Sequence, residues 1–306
     1  MSALRVNKPG PLSLLQDGGR FGWQHLGVSP AGPMDIQAAA WANRLLGNPW
    51  GSAVLEIALG GVELVVEEDA WVALAGADMP ITVDDEPRRN WSRFHVQSGQ
   101  YLRIGFARSG QRAYLAIDGG IQAEAVLGSV ACQLREGLGG LDGEGRKLAE
   151  GDCLLGRPGG MIRGASVPWP WLPDYQAPQL IRAVIGGDAA SFADEQARAF
   201  FEQPWQLSPQ SDRMGARLQG EPIEAPQQQW SQGVVSGAIQ VPPDGQPIVL
   251  MADRQTMGGY PVLGWVHPLD LGRLAQCAAH QVMRFIPMSL EDAQAELREF
   301  YQFFGR

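Results

Sequence analysis

The chain repeats itself faintly at a nearly constant interval. "RLLGNP" at 44–49 returns as "RLQGEP" at 217–222, 173 residues on. "GGVELVVEEDAWVALAGAD", ending at Asp78, is echoed by "GAIQVPPDGQPIVLMAD", ending at Asp253, at an offset of 175. "QYLRIGF" and "QVMRFIP" align Arg103 with Arg284 at 181, and "LRV" near the start faces "IRA" at 177. No single match carries weight, but four in one chain order predict two related units, not one continuous core. The boundary falls at "VPWPWLPDYQAP", whose prolines and tryptophans read as a linker. The first unit is placed at residues 1–175, with an added stretch at about 107–172 that has no counterpart, and the second at 178–306. A chain of 306 residues fits that division, since a domain commonly holds roughly 100–200 residues.

Within each unit the pattern is that of strands. Short apolar or alternating runs such as "VLEIAL", "VELVV", "WVALAG", "AYLAI", "IRAVIG", "PIVLMA" and "VMRFI" recur between turn residues, and 39 glycines and 22 prolines punctuate them. The expected fold class is mainly β. Three stretches have helical spacing: "MDIQAAAWANRLLG", closed by Gly47; "DAASFADEQARAFF" at 188–201; and "SLEDAQAELREFYQFF", where Ser289 and Asp292 form a capping pair and Leu297, Phe300, Tyr301 and Phe304 an apolar face.

Charge and cysteine usage remove several function classes. A net charge of -9 argues against nucleic acid, which demands clustered Lys and Arg. The start lacks a secretory signal's apolar core and no long apolar stretch occurs, so no membrane is expected and a cytoplasmic protein is predicted. Cys132, Cys153 and Cys277 are an odd, dispersed set, and the four histidines have no metal-ligand spacing; no metal site is assigned. The glycine run "GLGGLDGEGRKL" at 137–148 lacks the GxxxxGK[ST] pattern and reads as a wide turn between strands.

Two polar segments stand out. "ADRQTMGGYP" follows a buried strand with a carboxylate, a guanidinium, an amide and a hydroxyl in four positions, then Gly258 and Gly259. It reads either as a β-turn whose side chains satisfy one another or as a rim that meets a ligand. The first unit carries "ADMPITVDDEP" at the same place, an ordinary hairpin turning at Asp84 to Pro87. "QDGGRFGWQHLGVSPAGPMD" is a loop of about twenty residues with a heavy polar load, a length more often functional than incidental in a compact domain. Its Phe21, Trp23, Leu26, Val28 and Met34 pin it to a core, and its Asp35 is equally the cap of the helix that follows.

Together with "ANRLLGNP", "LEIALGG", "YLAIDGGI", "VLGS", "SDRMGARLQG", "SGAIQVPPDGQPIVLMADRQTMGGYP" and "LAQ" followed by "VMRF", this loop resembles the family of the 5-oxoprolinase C subunit, also called the KipA or allophanate hydrolase subunit 2 family. That family includes half of the carboxyltransferase domain of urea carboxylase. The resemblance covers essentially the whole chain. It departs at "LAQCAAHQVMRF", where Ala279 and His280 stand in place of a proline and glycine turn.

The resemblance implies two tandem cyclophilin-like β-barrel units and a few short helices. It also implies two partners, a KipI-like B subunit plus an A subunit, in the ATP-dependent opening of 5-oxo-L-proline to L-glutamate, with this chain inactive alone. The B and C components would activate the lactam by phosphorylation and the A component would hydrolyse it. Such chemistry needs a polarised amide carbonyl, charge stabilisation on a transferring phosphoryl group and exclusion of water. Arg213 and Arg254 are the cations assigned to an anionic substrate or to phosphates, and Asp212 and Asp253 the groups for magnesium or for orienting a nucleophile. Gln240, Gln255 and Thr256 are hydrogen-bonding candidates, with Gly258, Gly259 and Tyr260 forming the pocket wall. From the first unit His25, Asp35, Asn43 and Glu56 match the family's motifs, and structural pairing, such as Glu56 with an arginine, competes for each. ATP, with Mg2+, is the expected co-substrate. Two other readings stay open: the carboxyltransferase component of a biotin-dependent urea or amide carboxylase, with biotin carried by another protein because no "MKM" motif occurs here, or a non-catalytic regulator that binds a KipI-like protein.

Overall fold

Side chains that alternate along a strand can serve two cores at once, and the first unit is built on that property. In the computed structural model, which describes residues 2–157, 163–228 and 230–305, its strands form two six-stranded sheets. One runs in the order Cys153–Gly156, Ser2–Pro9, Val62–Glu68, Tyr101–Ile104, Ile81–Val83, Glu86–Arg88. The other runs Ala165–Ser166, Ser92–Val96, Ala70–Asp78, Ser109–Ile117, Val54–Ala58, Leu12–Gln16. Leu4, Val6, Leu64 and Val66 of the first sheet share one apolar core with Leu55, Ile57, Val72, Leu74, Leu115 and Ile117 of the second. Each such side chain taken fully from water contributes about 1.5–3 kcal/mol. The alternate residues of the second sheet, Ala73, Ala75, Tyr114 and Ala116, point the other way and pack against helix α1, Ile36–Leu46. Small residues on both sides, including Ala38, Ala39 and Ala42, let helix and sheet approach closely. Asp35 Oδ1 caps α1 by accepting from the Ala38 N–H at 3.0 Å, and Gly47 ends it at φ 74°.

The second unit contains a closed seven-stranded barrel. Its order is Gln179–Ile185, Val262–Val266, Ala238–Gln240, Ile248–Leu250, Gly215–Gln219, Trp205–Leu207, Val282–Pro287, closed by a parallel pairing of the last with the first. Closure removes free edges, so every barrel strand has two partners. A separate ribbon pairs Gln232–Gly233 with Met257–Gly258. Helices α2, Asp194–Glu202, α3, Pro268–Gln276, and α4, Leu290–Phe304, complete the set. By contacts, unit 1 comprises 1–21, 31–176 and 304–306, and unit 2 comprises 22–30 and 177–303. The middle of the long loop therefore groups with the second unit, against a first unit drawn as one run to 175. Residues 158–162 of the added stretch lie outside the described residues.

Local expectations meet mixed outcomes. The hairpin turns at Asp84 and Asp85, both at positive φ (50° and 68°), the primed geometry that matches strand twist. The glycine run is a wide turn, bridged at Gln133 with Leu138 and Gly139 with Glu144, and pinned by Arg146 on Asp142 and Asp152. Ser289 Oγ accepts from the Asp292 N–H at 3.1 Å, as the capping pair predicts. The stretch 188–201 divides into a 3-10 turn at Ala189–Ser191 and α2. Helix α3 is not among the three stretches read from spacing; it opens with Pro268 at the first helical position, where the missing N–H costs nothing. Asp270 on α3 is fully buried and takes both Nε and Nη2 of Arg182 at 2.7 Å, fastening the helix to the first barrel strand.

The repeat holds only in part. "LRV" and "IRA" both lie in strands, as do Tyr101–Ile104 of "QYLRIGF" and Val282–Pro287 of "QVMRFIP". "RLLGNP" does not match its echo: Arg44–Leu46 closes α1, while Arg217–Gln219 is barrel strand. Closely similar residues follow a helical face in one setting and strict in–out alternation in the other, so the neighbours decide. Asp78 and Asp253 are not equivalent either, since Asp78 ends its strand exposed and Asp253 is buried.

The departure at 279–280 has a measurable cost. His280 is exposed and sits at φ 66°, a left-handed conformation that costs about 1–2 kcal/mol for a residue with a Cβ. His280→Gly relieves it, less about 0.5–1 kcal/mol of glycine chain entropy. A thermal unfolding scan should show the variant melting about 1–3 °C higher; an unchanged or lower midpoint would show that the turn carries no strain.

Candidate functional site

The residues singled out from sequence separate into two sets. In unit 1, Glu56, Asp35 and Tyr114 form one buried network: Tyr114 Oη donates to Glu56 Oε2 at 2.8 Å and accepts from the Asp35 N–H at 2.7 Å. The Met34 N–H donates to the same Glu56 oxygen at 2.9 Å, and Tyr175 Oη donates to Asp35 Oδ2 at 3.1 Å. Burial first, then the charges of Glu56 and Asp35, push the Tyr114 hydroxyl well above the usual tyrosine range, so it stays a donor. Asn43 donates to the Ser52 carbonyl and accepts from Asn48, and it also lines a cavity of about 360 Å³ beside Arg44, Trp50 and Phe304. Asp35 and Glu56 thus anchor the loop and the start of α1, whereas Asn43 ties the last turn of α1 to the segment 48–52 that follows it. Neither tyrosine is among the residues singled out from sequence; Tyr114 lies in the apolar run "AYLAI", whereas Tyr175, between Asp174 and Gln176, carries no local sign of burial. His25 stands apart, exposed in a 3-10 turn at Gln24–Leu26.

In unit 2 the barrel strands bring the second set together. The strand Gly215–Gln219 pairs with Ile248–Leu250, and the pairing continues beyond both: Met251 N–H donates to the Met214 carbonyl and Asp253 N–H to the Arg213 carbonyl. That register places the two side chains face to face. Arg213 donates Nε to Asp253 Oδ2 and Nη2 to Asp253 Oδ1, both at 2.8 Å, a bidentate pair with both residues buried. Asp212 is exposed and turns back on its own backbone, accepting from the Met214 and Gly215 N–H groups.

Arg254, the next residue, is in a different state. It is 3% exposed, and its Nε and Nη1 are shut from solvent with no hydrogen-bond partner. Its backbone is held: the N–H donates to the Met251 carbonyl, and Ser29 Oγ from the N-terminal loop donates to its carbonyl at 2.6 Å. Burial lowers the guanidinium's hold on its proton, and no carboxylate among the described residues offsets that cost. A buried cation of this kind is rare in a folded protein unless a ligand completes it.

Beyond Arg254 the loop opens outward. Gln255 and Thr256 are half-buried, and the Thr256 carbonyl accepts from the Val234 N–H at 3.0 Å. Gly258 lies against Gln240, where a Cβ would sit 2.4 Å from Gln240 Nε2, so only glycine leaves that buried amide in place. Gln240 Nε2 donates to the Tyr260 carbonyl at 3.4 Å. Gly259 and Tyr260 line a cavity of about 470 Å³ with Pro226, Gln228, Pro243 and Pro261. The reading of 253–260 as a turn satisfied within itself does not hold, because Asp253 finds its partner 40 residues away and the loop walls a cavity.

A closed barrel and a two-sheet unit with this loop place the chain in a known class. The family model of the carboxyltransferase domain, subdomain A and B, matches residues 26–287. The chain belongs to that family. It is 38% identical to the 5-oxoprolinase C subunit of Escherichia coli strain K12, over 98% of this chain and 96% of that protein. With the 5-oxoprolinase C subunit of Haemophilus influenzae it shares 37% identity, over 93% and 90%. It superposes on the crystal structure of the Kluyveromyces lactis urea carboxylase with a TM-score of 0.91 at 27% identity, covering 99% of this chain and 29% of that one.

Proposed function

We propose that the chain is the C subunit of an ATP-dependent 5-oxoprolinase that converts 5-oxo-L-proline to L-glutamate with a KipI-like B subunit plus an A subunit, and that it is inactive alone. The observation that carries this reading is Arg254. 5-Oxoproline is a carboxylate at neutral pH, and a buried guanidinium with two idle donors is a fitting receptor for a carboxylate or phosphoryl oxygen. Arg213, the other expected cation, acts through Asp253 by fixing the segment from which Arg254 projects. Gln240, Gln255 and Thr256 supply neutral hydrogen bonds to an amide carbonyl, and Tyr260 screens it from water.

Magnesium fits this chain's own residues poorly. The Asp253 carboxylate is spent on Arg213, Asp212 caps its own turn, and among the described residues no three His, Cys, Asp or Glu converge. ATP and its metal are therefore assigned to the KipI-like partner. A cytoplasmic setting is part of the same reading; no described helix is long and apolar enough to cross a membrane.

The likeness to urea carboxylase favours one alternative, the carboxyltransferase component of a biotin-dependent enzyme, in which the carboxylate of carboxybiotin would meet Arg254. Mixing the purified chain with its KipI-like and A-type partners and 5-oxoproline should release glutamate only when ATP is present. Absence of glutamate from the complete mixture, with carboxylation of urea once a biotin carrier is added, would replace the first reading by the second.

A further inference from the structure

Arg254 is gripped through its backbone, and one of the bonds that hold it comes from far along the chain. The Ser29 hydroxyl, 225 residues away, donates to the Arg254 carbonyl at 2.6 Å, and Ser29 is 2% exposed. Ser29 belongs to the strap Gly22–Pro30, which groups with the second unit. From Gly22 to Val28 no residue of that strap is buried, and its 3-10 turn is closed by local bonds, Leu26 and Val28 N–H to the Trp23 carbonyl and Gly27 N–H to that of Gln24. Burial begins at Ser29 and Pro30. A residue before proline is confined to extended backbone, so the chain delivers the Ser29 hydroxyl in a fixed direction.

We propose that Ser29 is a positioning residue, holding the Arg254 peptide so that the guanidinium stands where a carboxylate or phosphoryl oxygen meets it. The inference rests on the reading of Arg254 as an anion receptor. Its physical basis is leverage. A rotation of about 10° at the backbone carries the end of an arginine side chain through about 1 Å. A misplacement of about 1 Å in a site costs on the order of 100-fold in rate. Two fastenings act on the N-terminal side of Arg254: its own N–H donates to the Met251 carbonyl at 3.3 Å, and Asp253 is fixed by Arg213. Ser29 fixes the carbonyl that follows, and with it the peptide plane between Arg254 and Gln255. Because Nε and Nη1 are closed to solvent, an anion reaches them only on a local opening, and the bond from Ser29 sets the position to which Arg254 returns.

The first test uses the full chain alone and phenylglyoxal, an arginine-selective dicarbonyl, with labelling of each arginine followed by peptide mass spectrometry. Ser29→Ala should raise the labelling rate of Arg254 about three- to tenfold, the worth of one neutral hydrogen bond, and leave Arg213 at the parent rate. Ser29→Thr, which keeps the hydroxyl, should label more like the parent than Ser29→Val, which has the same shape without it. The second test adds the KipI-like and A-type partners. Ser29→Ala should lower kcat/KM for 5-oxoproline about tenfold in the parent and less than twofold in an Arg254→Met background, because a residue that acts through Arg254 has nothing left to position. Unchanged labelling of Arg254 in Ser29→Ala, an equal rise at Arg213, equal behaviour of the Thr and Val variants, or an undiminished loss in the Arg254→Met background would each overturn the inference. If the complete parent mixture releases no glutamate, the 5-oxoprolinase reading fails, and the labelling still decides whether Ser29 holds Arg254.

Discussion

Asp253→Ala is expected to lower stability by about 3–5 kcal/mol, the cost of breaking a buried ion pair and leaving one charge without its partner. The carboxylate is the bidentate acceptor for Arg213, and both side chains are buried where water cannot take over. Arg213→Ala should be similarly harmful, because the orphaned carboxylate would then have to take up a proton or draw in water. Replacing both, as in Arg213→Met with Asp253→Leu, should recover much of the loss, since an apolar pair of similar volume carries no desolvation cost. Urea denaturation of the parent, the single variants and the double variant gives a double-mutant cycle that measures the coupling. A coupling energy below about 0.5 kcal/mol would show that the pair is incidental and that the loop is held by its backbone bonds alone.

Arg254→Met should do the reverse, gaining stability and losing function. Removing a buried guanidinium whose Nε and Nη1 are unpaired relieves a penalty of about 1–3 kcal/mol, and methionine replaces it with a flexible apolar chain. Activity in the reconstituted system should fall about 10- to 200-fold, the worth of a hydrogen bond to a charged group. The two effects together separate a ligand-binding arginine from a structural one, for which both stability and activity would fall. If Arg254→Met melts earlier than the parent and turns over at an equal rate, the anion-site assignment is lost.

These two neighbours show how far sequence reasoning reaches. "ADRQTMGGYP" could be flagged as unusual because a polar cluster follows an apolar run, and the segment does wall a cavity. Both arginines could be named. Which one is idle could not, because the answer depends on Asp253 meeting Arg213 across 40 residues and on no carboxylate among the described residues meeting Arg254. Glu56 and Asp35 point the other way. Their motif positions suggested ligand contact, and the structure ties both into a tyrosine network that seats the loop.

By itself the sequence determined the elements whose stabilising interactions lie within a few residues: α1 between Asp35 and Gly47, the Ser289 cap of α4, the primed hairpin at Asp84 and Asp85, and the period-two strands. Tertiary structure alone decided that the second unit closes into a barrel, that residues 22–30 group with it, and which buried guanidinium keeps donors without a hydrogen-bond partner. The division has one physical cause. Caps, turns and alternation act through neighbours along the chain, whereas burial and charge pairing depend on groups brought together only when distant strands come into register.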